Sequence, residues 1–254
     1  MKKLSSFLVV LLLMSVSFAS NAQEYPRGDV DYDGVVNVSD VTSLINYLLT
    51  GFWPDEQGDW VDLGLPSGTL WATHNVGASS PEEYGDYFAW GETEPKDNYS
   101  WSTYKWAKGG YRSLTKYCTD ISYGYNDFVD RKVELDPEDD AAYVNWGPSW
   151  RMPTREQYME LCTECTRTFT QMNGVKGFLL TGPNGTTLFF PAAGCRIDGS
   201  LENAESSGNY WTRMLYPSKP YYSYDVNFHP ESVGYGAFYR CEGLPIRPVR
   251  VSRK

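Results

Sequence analysis

Residues 177–196 read GFLLTGPNGTTLFFPAAGCR, and this stretch indicates its own structure more clearly than any other part of the second half of the chain. Two apolar runs, 178–181 and 186–190, flank the four residues Gly-Pro-Asn-Gly. Aromatic residues and threonine favour strands, whereas glycine, proline and asparagine favour tight turns. The pattern therefore predicts a β-hairpin with its turn at residues 182–185.

A helix is predicted shortly before this hairpin. Thr154 is suited to cap its N-terminus, Gln157 stands where it can bond back to the cap, and apolar residues recur at helical spacing through Cys165. Because strands lie on both sides of this helix without regular β–α–β alternation, the sequence predicts an α+β fold. The other predicted strands are 61–65, 69–72, 87–90, 210–213, 221–228, 235–240 and 246–251.

A second informative stretch lies near the N-terminus, where residues 29–40 read DVDYDGVVNVSD. Side-chain oxygens recur at alternate positions and Gly34 permits a sharp bend, a spacing typical of a calcium loop. Carboxylates held this close repel one another without a cation. The sequence therefore predicts that Ca²⁺ is bound by Asp29, Asp31, Asp33, the carbonyl of Val35, Asn37 and Asp40.

A helical pattern follows this loop. Its apolar face consists of Val41, Leu44, Ile45 and Leu48, and Gly51 ends it. The loop and helix, residues 28–49, resemble one repeat of a type I dockerin. That family uses two such repeats to bind cohesin modules in cell-surface assemblies, but no second D-x-[DN]-x-[DN]-G occurs in residues 52–254. The resemblance implies calcium binding, and docking of the helix on a cohesin-like module or on a second copy of the chain.

The first residues have the pattern of a secretory signal. Lys2 and Lys3 precede the apolar run 7–14, and small residues favour cleavage after Ala22. That run is too short to span a membrane, which takes ~20 apolar residues. We therefore predict a secreted or cell-surface protein without a membrane span. Its predicted parts are a signal peptide (1–22), a dockerin-like calcium repeat (23–51), a linker (52–58) and a larger domain (59–254).

Charge and cysteine content narrow the function further. The formal net charge of −10 argues against nucleic acid as a partner, because nucleic-acid affinity depends on cationic contacts to phosphate. Five cysteines are an odd number, and the sequence leaves any disulfide among Cys118, Cys195 and Cys241 open. Cys162 and Cys165 have the spacing of a redox pair, but they continue the apolar face of the predicted helix. We expect both to be buried in the core.

Five segments of the larger domain match one family in order. Together they resemble the Fibrobacter succinogenes major paralogous domain of secreted bacterial proteins, over residues 60–251. The resemblance implies the C-type-lectin-like fold of formylglycine-generating enzymes, and it implies no catalytic activity that could be assigned to residues here. The matching segments are 61–78, 146–154, 177–196, 208–211 and 246–251.

Few residues suggest catalysis. The two histidines, His74 and His229, lie in no recognised catalytic motif. Glu92 and Glu94, close to Trp90, are the most suggestive pair for a glycosidase, which needs two carboxylates ~5–10 Å apart. Most acidic pairs in acidic proteins are simply solvated. We therefore expect a non-enzymatic protein, with an accessory or hydrolytic role in polysaccharide degradation as an alternative.

The C-terminal part of the chain is unusually aromatic. Ten of the thirty residues from 210 to 239 are Trp, Tyr or Phe, about twice the share of 16% in the whole chain. Such side chains stack on sugars and anchor protein interfaces. Strand alternation directs Tyr222, Tyr224, Val226 and Phe228 to the core. We therefore predict a face that binds a glycan or a cell-surface protein through exposed Trp211, Arg213, Tyr216, Tyr221, Asp225, Asn227, Tyr235 and Tyr239.

Overall fold

The structure is a computed structural model that describes residues 60–251 and, near the N-terminus, residues 36, 38, 40–42, 44 and 45. The chain divides into two units, residues 1–58 and 59–254. In the first unit, the described residues between 38 and 45 are helical, where the apolar pattern predicts a helix. The predicted signal peptide, its cleavage site and the linker 52–58 lie outside the described residues.

The described part of the second unit contains four small antiparallel sheets. One sheet has the order β1-β2-β11, and its strands are Trp60–Asp62, Thr69–Ala72 and Val249–Val251. A second has the order β3-β4-β5, with Thr166–Met172, Val175–Thr181 and Thr187–Pro191. A two-stranded sheet pairs β6 and β7, Cys195–Ile197 and Ser200–Glu202. The last has the order β10-β9-β8, and its strands in chain order are Gly208–Leu215, Tyr222–Phe228 and Val233–Tyr239.

Both predicted hairpins are confirmed. In the hairpin of β4 and β5, Phe178 lies opposite Phe190, and the N–H of Gly182 donates to the carbonyl of Thr186 at 2.8 Å. Gly185 has φ +84°, a left-handed conformation that glycine adopts without strain. In the hairpin of β1 and β2, Gly68 closes the turn with φ +72°. The predicted strand 87–90 is reduced to a single bridge between Phe88 and Leu244.

Two α-helices lie between these hairpins, α1 at Ala141–Trp146 and α2 at Arg155–Glu164. The predicted capping box of α2 is present, because Thr154 Oγ1 accepts from the N–H of Gln157 at 3.1 Å and Gln157 Oε1 accepts from the N–H of Thr154 at 2.8 Å. Asp140 caps α1 without a reciprocal bond, and its side chain accepts from the N–H of Ala142 at 3.0 Å. Helices and antiparallel strands together fit the predicted α+β class.

Two large apolar clusters form the core. The first contains Trp71 of β2 and Tyr158 of α2, whose ring centres lie 5.1 Å apart, together with residues of β4, β5, β8 and β9. The second surrounds Trp90 and Trp211. The core is therefore unusually rich in aromatic rings, which bury much area per residue.

The five cysteines are all free thiols. Cys165 is buried as predicted, whereas Cys162 is only half-buried, because it lies at the edge of α2 near Tyr235. Burial raises the pKa of both thiols to about 11. Both are therefore protonated at neutral pH, unlike the thiolates of reactive cysteine pairs. In the described part of the chain, no helix has the length and apolarity that a bilayer span requires.

Candidate functional site

Most of the predicted calcium loop falls outside the described residues. Asp29, Asp31, Asp33, Val35 and Asn37 are not described, whereas Asp40 is helical and only 3% exposed. The last ligand of such a loop must turn away from water towards the ion at the start of the exiting helix, and the position of Asp40 fits that requirement. The full ligand set stays a prediction. In the remaining described residues, no cluster of three or more His, Cys, Asp or Glu could hold a metal.

The helix that contains Asp40 also carries apolar side chains on its surface. Val41 and Ile45 are both exposed, and residues four apart lie on the same side of a helix. Leu44 is half-buried. The described residues of the predicted apolar face are thus only partly buried.

Strand alternation in β9 does not follow the prediction throughout. Val226 and Phe228 are buried as expected, but Tyr222 and Tyr224 are only half-buried, while Ser223 on the opposite face is fully buried. The reason is that the second core cluster covers the face that was expected to meet solvent. A sheet buried on both faces loses the simple polar–apolar alternation.

The predicted exposure of Trp211 and Asp225 is therefore wrong. Trp211 lies fully inside the second cluster, and its indole Nε1 donates to the carbonyl of Phe88 at 2.7 Å. Asp225 lies between Trp211 on β8 and Gly236 on β10, and neither of its carboxylate oxygens has a hydrogen-bond partner among the described residues. Burial raises the pKa of Asp225 from 3.8 to about 7.

Two other members of the predicted set have structural partners. Arg213 Nε donates to Glu134 Oε1 at 2.6 Å, and its Nη1 donates to the carbonyl of Met152 at 3.1 Å. Asn227 Nδ2 donates to Asn209 Oδ1 on the neighbouring strand. Both side chains are half-buried, and these contacts hold them in place, so their predicted role in ligand binding stays a prediction.

Tyr216 and Tyr235 line a surface groove of about 270 Å³. The ring of Tyr216 packs edge-on against Tyr224 at 5.0 Å, and the guanidinium carbon of Arg155 lies 5.8 Å from the centre of the Tyr235 ring. The other residues that line the groove are Lys219, Tyr222, Gly236 and Ala237.

Tyr221 and Tyr239 do come together, in a set of surface rings that we call the aromatic cluster. Tyr239 stacks on Tyr222 with ring centres 4.6 Å apart and planes at 22°. Tyr221 contacts Tyr123 at 4.9 Å and Tyr111 at 5.2 Å. Tyr111 and Tyr239 are 40% and 39% exposed. The aromatic cluster consists of Trp101, Tyr111, Tyr123, Tyr221, Tyr222 and Tyr239.

Half of the aromatic cluster comes from the long polar segment 101–123, which the sequence reasoning did not select. Folding places this segment against the end of β10, more than a hundred residues later in the chain. The signal that could have found it is local composition, since eight of the 27 residues from 99 to 125 are Trp or Tyr.

A buried arginine holds the two parts of the aromatic cluster together. Arg240, which directly follows Tyr239, donates to the carbonyl of Tyr117 at 3.0 Å, to that of Pro220 at 2.9 Å and to that of Lys116 at 3.0 Å. Its Nε also donates to the hydroxyl of Tyr104 at 2.9 Å. One side chain thereby ties the loop before Tyr123, the turn before Tyr221 and the end of β10 to one another.

The two glutamates suggested for hydrolysis, Glu92 and Glu94, differ in their exposure to solvent. Glu92 is buried, forms an ion pair with Lys96 Nζ at 2.8 Å and accepts from the N–H of Lys105 at 2.8 Å, whereas Glu94 is exposed. His74 packs its ring 5.0 Å from Trp146. Glu92 and His74 thus both have structural partners, and the hydrolytic alternative stays a prediction.

A family model described as Dockerin type I domain matches residues 27–64. The match includes the predicted calcium loop and the helix with exposed Val41 and Ile45. Dockerin type I domains bind calcium and cohesin modules. No curated protein and no solved structure matches the chain. The C-type-lectin-like assignment of residues 59–254 therefore stays a prediction.

Proposed function

We propose that this protein is an exported, calcium-binding component that tethers itself to a cell-surface assembly through its dockerin-like segment. The observation that carries the proposal is the match of residues 27–64 to the Dockerin type I domain. The buried position of Asp40 and the exposed apolar residues of the adjoining helix support it.

The chemistry of the segment explains why docking would depend on calcium. When bound, the ion neutralises the clustered carboxylates, which otherwise repel one another. Asp40 then ties the start of the helix to the loop, and Val41 and Ile45 are presented on an ordered surface. Full burial of each side chain of this size against a partner stabilises a complex by ~1.5–3 kcal/mol. The partner is a cohesin-like module or a second copy of the chain.

Capture on an immobilised type I cohesin tests the proposal. We expect the purified chain to be retained in Ca²⁺ and released by EDTA, and retention to be lost in the double variant Asp29→Ala/Asp33→Ala. The matched control is Asp97→Ala/Asp198→Ala, which removes the same charge from the larger domain instead of from the loop. Sedimentation at the same concentrations detects the alternative, a calcium-dependent dimer. A chain that remains monomeric and unretained with Ca²⁺ present would refute the tethering role.

The second candidate function is recognition of a glycan or cell-surface protein by the larger domain. The aromatic cluster favours it, because Tyr221 and Tyr239 of the predicted set lie there beside four further rings. A glycan array probed with the native chain and with Tyr239→Ala tests this function. Trp211→Ala is unsuitable for that purpose, since Trp211 is a core residue.

A further inference from the structure

We propose that the aromatic cluster and the adjoining groove form one binding site for an acidic oligosaccharide, a chain of sugars that carry carboxylates. The inference rests on the second candidate function above and names the ligand class. Tyr222 belongs to both parts, because it stacks on Tyr239 in the cluster and also lines the groove. The two features are therefore continuous.

The rings form a row with a cation near each end. Arg112 Nε donates to the hydroxyl of Tyr111 at 3.2 Å, and its guanidinium lies 5.6 Å from the ring centre. Tyr111 contacts Tyr221, which contacts Tyr222 at 4.7 Å. Lys219 then lines the groove beside Tyr222. An elongated ligand along this row would pass over several rings and meet a positive charge at both ends.

The cations of this region have no carboxylate partner among the described residues. Arg112 and Lys219 are exposed, and Arg155 is half-buried beside Tyr224 at 5.2 Å. None of the three takes part in an ion pair there. The whole chain is acidic, with a formal net charge of −10. This site instead carries three cations that form no ion pair with the described residues. They complement an anionic ligand.

Three carboxyls lie near this site and oppose its charge in part. Asp225 lies opposite Gly236, which lines the groove, and burial raises its pKa to about 7, so it is only partly charged at neutral pH. The carboxylate of Asp120 accepts from the N–H of Ser122 at 2.9 Å, where it caps a short helix. Burial raises the pKa of Glu242 to about 7, so part of its charge is lost at neutral pH. The balance of the site remains positive.

The form of the site favours a sugar over a protein segment. Exposed rings offer flat faces for the C–H surface of a sugar, and tyrosine hydroxyls offer hydrogen bonds to its hydroxyl groups. Arg240 fixes the loop, the turn and the strand that carry these rings. Because the site is held in place before binding, less conformational entropy is lost when a flexible polar ligand binds.

Titration calorimetry of the full chain with a short oligogalacturonate tests the proposal. The comparison ligand is the same oligomer fully methyl-esterified, which keeps the sugar backbone and removes the carboxylates. EDTA in the buffer separates this site from calcium-dependent tethering. We expect the acidic oligomer to bind about tenfold more tightly than the ester, since three charge contacts of several tenths of a kcal/mol each add up to ~1.4 kcal/mol.

Single variants assign the interaction to this site. Tyr239→Ala is expected to abolish binding, and Arg112→Ala and Lys219→Ala to weaken it about twofold each and to reduce its salt dependence. The matched controls are Tyr125→Ala, whose ring is 45% exposed outside the aromatic cluster, and Lys176→Ala, which lies on β4. Both should bind like the native chain, and thermal melts establish that every variant is folded.

Three other outcomes would contradict the proposal. Equal binding of the acidic and esterified oligomers would show that glycan recognition stands and that the acidic class is wrong. Binding that survives Tyr239→Ala would place the ligand elsewhere. Failure of the chain to bind either oligomer, with Tyr239-dependent capture of a protein instead, would overturn the carbohydrate assignment and leave the tethering function untouched.

Discussion

Asp225 shows how far burial changes the chemistry of a single residue. Its neighbours in the sequence are Tyr224 and Val226, and alternation alone places it at the surface. In the structure it is almost fully buried, with no hydrogen-bond partner among the described residues for either oxygen. A carboxyl in this position is more stable in its neutral form, because a charged group loses its hydration there.

The pH dependence of stability follows from this carboxyl. The pKa of Asp225 is about 7 in the folded chain and ~3.9 in an unfolded one. Between these values the folded chain holds a proton that the unfolded chain has released, so the free energy of unfolding falls as the pH rises from about 4 to 7. Asp225→Asn should therefore be more stable than the native chain at pH 8, by about 4 kcal/mol, and nearly equal to it at pH 4.

Urea unfolding of the two proteins across this pH range measures the effect. Asp97→Asn, at an exposed position, is the control and should follow the native chain throughout. Glu242, whose pKa is also raised by burial, leaves a smaller slope of the same sign in Asp225→Asn. A variant that is less stable than the native chain at pH 8 would show that Asp225 has a partner in its charged form.

Arg240 is a residue whose importance no local pattern indicated. Its guanidinium satisfies four acceptors from three separate parts of the chain. Arg240→Lys keeps the charge but cannot reach all of these acceptors, since an ammonium has no planar fork. We expect a loss of about 2–4 kcal/mol in the free energy of unfolding, measured by urea denaturation. Arg131→Lys, at an exposed position, should change it little.

At the level of elements, the start of α2 is stabilised by residues of its own first turn. The reciprocal bonds between Thr154 and Gln157 satisfy two backbone groups that a helix end otherwise leaves open. The hairpin of β4 and β5 has the same local character, because Gly185 in its turn adopts a positive φ. Such elements depend on residues a few positions apart, which is why the sequence predicts them well.

Removal of the cap tests this account of α2. Thr154→Ala should lower the free energy of unfolding by ~1 kcal/mol, because one N–H of the first turn loses its acceptor. Thr163→Ala is the matched control, since Thr163 is exposed in the same helix and should change stability by less than ~0.5 kcal/mol. Equal losses in both variants, followed by thermal or urea denaturation, would mean that the cap contributes nothing specific.

At the scale of the whole molecule, the predicted calcium site and the larger domain belong to different units. In the described part of the larger domain, no cluster of acidic, histidine or cysteine side chains could hold a metal. We therefore expect EDTA to change the proteolytic sensitivity of residues 28–50 and to leave the melting transition of the larger domain nearly unchanged. Limited proteolysis and calorimetry with and without Ca²⁺ measure the two effects. Loss of the whole transition on chelation would contradict this division.

The sequence by itself determined what depends on near neighbours. The pattern around Thr154 predicts the start of α2, and the glycines of two turns predict both hairpins, all of which are confirmed. The calcium loop of residues 29–40 stays a prediction, which the match to the Dockerin type I domain supports. Only the tertiary structure decided which side chains face solvent in β8 and β9, since a second core cluster covers the side that alternation left open. The same holds for the aromatic cluster, which joins rings from residues 101–123 with rings from 221–239. Such contacts arise from how separate elements pack, and no local pattern records that packing.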